Sequence, residues 1–203
     1  MNAIPPISAP RKTLVLASTS PYRRELLARL GLPFEVAAPG VEETPLDGET
    51  PAETASRLAL AKATAVATTH PDAIVIGSDQ TATIDGRTLI GKPVTHARAV
   101  AQLKAASGKA MKFHTGLAVV SLTHGFSRCV VVDTLVRFRT LSEARIERYL
   151  ALEPAYDCAG SAKVEGLGIA LIEALEGPDP TALIGLPLIE LVTMLGDAGC
   201  PIV

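Results

Sequence analysis

The segment from Phe113 to Phe138 constrains the fold more than any other part of the chain. Two long runs, Phe113 to Leu122 and Phe126 to Phe138, are joined around His124-Gly125. Strands connected by so short a turn pair antiparallel. Ahead of them, strand and helix signals alternate, which points to α/β layers, and the hairpin then makes the sheet mixed. Leu14-Val15-Leu16-Ala17 reads as a short buried strand, and Ser20-Pro21 as the N-cap and first turn of a helix that stops at Gly31. A second short strand spans Phe34 to Ala37, and Thr50-Pro51-Ala52-Glu53 is a capping box opening a helix to about His70. Ile74-Val75-Ile76 reads as a strand ending in Gly77-Ser78-Asp79-Gln80, and Asp85-Gly86 as a hairpin turn between two short strands. Thr95 caps a helix ending near Gly108, and Ser142 caps one ending before Pro154. Gly168 to Ile172 reads as a strand, and Pro187 to Leu195 as a closing helix. The expectation is an α/β, two-lobed protein: a mixed twisted β-sheet flanked by helices, a hinge near residue 110 and a central cleft. Residues 1–12 read as a flexible N-terminal tail and residues 13–203 as a single domain.

Charge and composition exclude several functions. A net charge of −2 is not that of a general nucleic-acid binder, and 3% aromatic residues with no Trp leave little for base stacking. The three cysteines, Cys129, Cys158 and Cys200, are far apart and form no CxxC. That argues against a disulfide framework or zinc ribbon and for a reducing compartment. No apolar run approaches the ~18 residues of a membrane span, and the N-terminus has no apolar stretch of signal-peptide length. A cytoplasmic protein with no membrane and no nucleic-acid partner is expected.

Polar residues sit where chemistry would need them. Ala17-Ser18-Thr19-Ser20-Pro21-Tyr22-Arg23-Arg24 is a strand end, a hydroxylated loop and a helix start. Free N–H groups and the helix dipole there suit an anion, Ser18 and Ser20 can donate to phosphate oxygens, and Arg23 can grip them in a fork. The spacing is not a Walker A, and an ordinary capped helix with surface arginines has the same local pattern. Asp79 suits metal binding or activation of a water at a strand end; a turn aspartate capping the next element reads the same way. Glu42 and Glu43 could share a hard metal ion with Asp79 or lie in a solvated acidic loop. Lys62 falls on the apolar stripe of its helix, i+4 from Leu58 and i−4 from Val66, so it must snorkel or meet an anion. Lys92, in Gly91-Lys92-Pro93, is a second phosphate-facing lysine or an exposed turn lysine. In Cys158-Ala159-Gly160-Ser161-Ala162-Lys163-Val164-Glu165-Gly166, small residues allow close approach of a ligand. Cys158 lacks an activating partner and reads as a structural thiol. The four histidines form no HxH or HExxH and read as structural or surface residues, and no GxSxG elbow is present. Cations at Arg23, Lys62 and Lys92 with carboxylates at Glu43 and Asp79 are what a nucleoside triphosphate and a divalent ion, Mg²⁺ or Mn²⁺, require.

These segments resemble the Maf family of nucleoside triphosphate pyrophosphatases. LASTSPYRRELL, VEETP, the helix with Lys62, GSDQ, GKP, FHTGLAV and CAGSAKVEG follow in the family's order across nearly the whole chain after residue 12. The resemblance implies Asp79 as proton acceptor, and Ser18, Arg23, Glu43, Lys62 and Lys92 as ligands of phosphate or metal. It implies Tyr22, Gln80 and Glu165 as the residues setting substrate choice. Tyr22 in place of the usual Arg, Gln80 in place of Thr and Glu165 in place of Gln place the chain nearest the subgroup that hydrolyses 7-methyl-GTP. N7 methylation gives guanine a positive charge, which an aromatic face at Tyr22 could meet by a cation–π contact of about 0.5–2 kcal/mol. The resemblance also admits dTTP, UTP or another modified nucleotide as substrate, a septum-formation inhibitor with weak hydrolysis, and a homodimer.

Overall fold

The computed structural model describes residues 12–203. The expected tail lies outside the described residues except for Lys12, whose ammonium donates to the Ala198 carbonyl at 2.8 Å. The six strands are β1 (Leu14–Leu16), β2 (Phe34–Val36), β3 (Ile74–Thr83), β4 (Ala110–Ser121), β5 (Phe126–Phe138) and β6 (Ile172–Glu176). They form one sheet in the order β2-β1-β3-β4-β5-β6. The β2, β1 and β3 strands are parallel, and β3 through β6 are antiparallel, so the mixed sheet is as expected.

Among the described residues five helices flank it: α1 (Pro21–Ala28), α2 (Pro51–Thr69), α3 (His96–Ala106), α4 (Glu143–Leu152) and α5 (Leu188–Asp197). The first four begin at the hydroxyl caps Ser20, Thr50, Thr95 and Ser142, each accepting a backbone N–H three residues on. At Thr50 the capping box is complete in both directions. None of these helices is long and apolar enough to cross a membrane.

Alternation along the strands builds the core. Leu14, Leu16, Ile74, Ile76, Leu117 and Val119 point to one face and pack with Leu26 and Leu27 of α1 and Leu191, Met194 and Leu195 of α5. Val15, Val75, Ala118 and Val120 point to the other and pack with Ala59, Ala63, Val66 and Ala67 of α2. A separate cluster at the far end joins Ala82, Met111, Phe113, Val136 and Phe138 to α3 and α4. These clusters correspond to two lobes, but the sheet is continuous between them. Residue 110 is no hinge: it opens β4, paired with Arg137 from its first residue.

Three other expectations are corrected. Gly77-Ser78-Asp79-Gln80 lies inside β3 rather than at its end, because pairing with β4 carries that strand on to Thr83. The chain beyond Asp85-Gly86 forms no second strand, only a single bridge from Ile90 back to Ala82. The Asp85 carboxylate closes that turn by accepting from the backbones of Arg87 and Thr88. Residues Leu167–Leu171 form a 3-10 turn, and the last strand starts only at Ile172. Gly168 explains this: its N–H donates to Glu153 at 3.1 Å, and a Cβ there would stand 2.5 Å from the Lys163 carbonyl oxygen. The segment is folded onto the preceding loop before it can join the sheet.

Candidate active site

The site exists because β1 is short and β3 is long. Leu16 is the last β1 residue paired with β3, opposite Ile76, and Ala17 still donates to the Ile76 carbonyl at 2.8 Å. The chain then turns away into the Ser18–Ser20 loop, and the edge of β3 from Gly77 onward is left without a β1 neighbour. A cleft of about 800 Å³ opens at that point. Ser18, Ser20, Tyr22, Arg23, Glu43, Lys62, Asp79, Gln80, Lys92 and Glu165 all line it. Segments distant in sequence thus meet where an open α/β sheet gathers ligands.

On one face of β3, Asp79 meets α2. Two glycines let the helix come down onto the strands: a Cβ at Gly77 would lie 2.3 Å from the Ala59 carbonyl oxygen, and one at Gly116 would lie 2.2 Å from that of Ala55. Gly116 is the register partner of Asp79. The close approach carries Lys62 to the carboxylate, with Nζ 2.6 Å from Asp79 Oδ1 and 2.7 Å from Glu43 Oε1. Lys62 is only 4% exposed, so its charge is withdrawn from water and depends on these two partners. Burial pushes the Asp79 carboxyl above the usual aspartate range; Lys62 and Arg23 oppose that shift, and Glu43 adds to it. A carboxylate drawn toward neutrality beside a cleft is suited to accept a proton.

On the other face, Ser78, Gln80 and Thr115 bind a turn from late in the chain, the 3-10 segment Ala182–Ile184 and Gly185. The Ser78 hydroxyl lies 2.8 Å from the carbonyl oxygens of Gly116 and Gly185. The Gln80 amide nitrogen donates to the Ala182 and Leu183 carbonyls at 3.0 Å, and the Thr115 hydroxyl donates to Ala182 at 2.9 Å. Arg23 Nε donates to Gly185 at 2.9 Å, with its other arm 3.4 Å from Ser18 Oγ. Gln80 is therefore tied to the cleft wall through its amide nitrogen.

At the mouth, the Tyr22 hydroxyl donates to Asp157 Oδ2 at 3.0 Å. Lys163 is paired with Asp157 Oδ1 at 2.8 Å, and its ammonium stands 5.6 Å from the centroid of the Tyr22 ring. Glu165 and Lys92 are exposed on the same cleft, and Lys92 has no ion-pair partner among the described residues. Burial pushes the Cys158 thiol up to about 12, which disfavours the thiolate. His114 is bound into the sheet, 2.6 Å from Asp133, away from the cleft lining.

Sequence reasoning missed Asp157, one residue ahead of the quoted CAGSAKVEG segment, and the carbonyls of residues 182–185. Backbone acceptors leave no side-chain signature, and Asp157 has no spacing pattern of its own. Thr115 and Gly116 lay in FHTGLAV, where the Thr-Gly pair was the available signal.

Glu43 and Asp79 were also expected to hold a metal. They converge on one cation already, the Lys62 ammonium, and both offer hard carboxylate oxygens. No group of three or more His, Cys, Asp and Glu suited to a metal occurs among the described residues. A two-carboxylate donor set fits an ion such as Mg²⁺ that keeps water and substrate phosphate oxygens as its other ligands.

Comparison with known proteins places the whole of the described sheet in one family. The family described as "Maf-like protein" matches residues 13–198. The chain is 58% identical over 198 residues to the 7-methyl-GTP pyrophosphatase of Polaromonas sp. (strain JS666), covering 98% of this chain and 89% of that one. It is 59% identical over 187 residues to the 7-methyl-GTP pyrophosphatase of Thiobacillus denitrificans, covering 92% of each. Against the enzyme of that name from Bordetella pertussis it is 55% identical over 199 residues, 98% of this chain and 96% of the other.

Proposed function

The chain belongs to the Maf family, and from that premise we propose that it hydrolyses 7-methyl-GTP to 7-methyl-GMP and pyrophosphate. The observation that carries the reading is the cleft in which Lys62 and Arg23 act on the buried carboxylate of Asp79 while Lys92 lines the same cleft. The relatives named for this activity, at 54–59% identity over nearly the whole chain, support the substrate.

In this reading Asp79 takes a proton from water as the water oxygen bonds to the α-phosphorus. The bond from that phosphorus to the bridging oxygen breaks, and its electron pair leaves with pyrophosphate. Arg23, Lys62 and Lys92 meet the negative charge that builds on the leaving group. Ser18, Ser20 and the N-terminus of α1 hold phosphate oxygens. Tyr22, Gln80 and Glu165 border the base, with the Tyr22 face suited to a cationic ring. Glu43 and Asp79 would hold Mg²⁺ or Mn²⁺, which when bound supplies positive charge to the polyphosphate and lowers the pKa of a water. Residues 13–203 act as one domain in this reading, cytoplasmic and assembled as a homodimer.

The test is pyrophosphate release by the purified protein with Mg²⁺ or Mn²⁺ on 7-methyl-GTP, GTP, dTTP, UTP and CTP, with Asp79→Asn as control. The expected result is fastest release from 7-methyl-GTP and a loss of about 10²-fold or more in kcat in the control. Preference for dTTP or UTP would keep the chemistry and overturn the base assignment. No release from any nucleotide would overturn the enzyme reading in favour of a nucleotide-binding regulator.

A further inference from the structure

Tyr22, which the proposed function sets beside the base, already has a cation near its ring. The ammonium of Lys163 lies 5.6 Å from the ring centroid, near the outer limit of about 6 Å for a cation–π contact. Its tighter contact is with Asp157, at 2.8 Å. The same carboxylate accepts from the Tyr22 hydroxyl at 3.0 Å through its other oxygen. One side chain therefore fixes the ring and neutralises the cation beside it. Tyr22, Asp157 and Glu165 line the cleft, as do Ala162 and Val164; Lys163 stands just behind that lining.

A bare ammonium here would oppose a positively charged base and would be indifferent to a neutral one. At separations of several ångströms and intermediate dielectric, like charges discriminate by about tenfold or more. We propose that Asp157 is a further specificity-determining residue. Its carboxylate masks Lys163 next to Tyr22, so that a purine carrying positive charge is not turned away from that ring relative to the same purine without it. The inference rests on the reading that the substrate is 7-methyl-GTP and adds to it the group that makes the base subsite tolerant of a cation.

The experiment compares kcat/KM for 7-methyl-GTP and for GTP in the wild type, Asp157→Asn, Lys163→Met and the double variant. Asparagine keeps the shape and an oxygen to accept from Tyr22 while removing the charge. The expected result is that Asp157→Asn lowers the ratio of the two kcat/KM values about tenfold. Most of that loss should lie in KM, and it should shrink as salt is raised, because Asp157 is exposed. Adding Lys163→Met should restore the ratio, since the unmasked cation is then gone. An equal loss for both nucleotides, insensitive to salt, would mean that Asp157 only positions Tyr22 and would overturn the proposal. So would a ratio that stays at the wild-type value in Asp157→Asn, or one that Lys163→Met fails to rescue. A wild type with no preference for 7-methyl-GTP over GTP would instead remove the substrate reading, and the inference with it.

Discussion

Lys62 shows how a single residue can be structural and chemical together. Its stem lies on the apolar side of α2, and its head bridges Asp79 and Glu43 at 2.6 and 2.7 Å. Lys62→Met keeps the packing and removes the charge. Burial already holds the Asp79 carboxyl high, and Lys62 is the strongest influence pulling it down. Without the ammonium the carboxyl must rise further. As the proposed base, Asp79 acts only when ionised, so the acid limb of the pH–rate profile should move to higher pH. Turnover on the plateau should fall by roughly 10²-fold, as expected when a cation facing developing charge is removed. A profile measured on 7-methyl-GTP checks both. An unmoved acid limb would mean that Lys62 does not act on Asp79. The position of Lys62 on the apolar stripe was legible in the sequence, because helical spacing alone placed it there. Its two carboxylate partners were legible only as candidates, since no local pattern says that the loop bearing Glu43 folds back over the helix.

Elements are placed here as much by missing side chains as by present ones. The approach of α2 to the sheet depends on Gly116, where a Cβ would meet the Ala55 carbonyl oxygen at 2.2 Å. Backbone cannot yield as a flexible side chain can, so Gly116→Ala should push the helix outward. The expected cost is about 1–3 kcal/mol by denaturant unfolding, as for other overpacked cores, with a fall in kcat as Lys62 leaves Asp79. Gly196 in α5 has open space at the same position, and Gly196→Ala should be neutral or slightly stabilising. Equal behaviour of the two variants would show that the close approach is not what sets α2. Helices with hydroxyl caps and the long hairpin were readable because those signals are local. The placement of Gly77-Ser78-Asp79-Gln80 inside β3 was not, because it is decided by β4, more than thirty residues on in the chain. The 3-10 turn at Leu167–Leu171 was misread as strand for a similar reason: Gly168 is held by Glu153 of another segment.

For the whole molecule, the decisive fact is that β3, β4 and β5 run through both lobes. Ile76, Val119 and Leu117 belong to one cluster, while Ala82, Met111, Phe113 and Val136 on the same strands belong to another. Neither cluster can lose its strands without exposing the other. Thermal or denaturant unfolding should therefore be one cooperative transition, with coincident midpoints by far-UV circular dichroism and by tyrosine fluorescence. Tyr149 and Tyr156 report on the far-end cluster and Tyr22 on α1, while circular dichroism reports on the helices of both lobes. Separated midpoints would show that the lobes unfold independently. The sequence led to two lobes parted by a hinge near residue 110, but each cluster draws on residues from both sides of that position, since strand length, not composition, welds them.

The turn at residues 182–185 has a consequence for how the protein is made. Arg23, Ser78, Gln80 and Thr115 all spend donors on its carbonyls. A ribosome translating this message emits every cation and carboxylate assigned to the cleft before it emits those acceptors. Until they arrive, the growing polypeptide carries all of these charged side chains with one wall of their cleft absent. The cleft is thus incomplete until residues 182–185 have been made, and a chain ending between Gly166 and Ala182 would carry these charged residues without the carbonyls that hold Arg23, Ser78, Gln80 and Thr115.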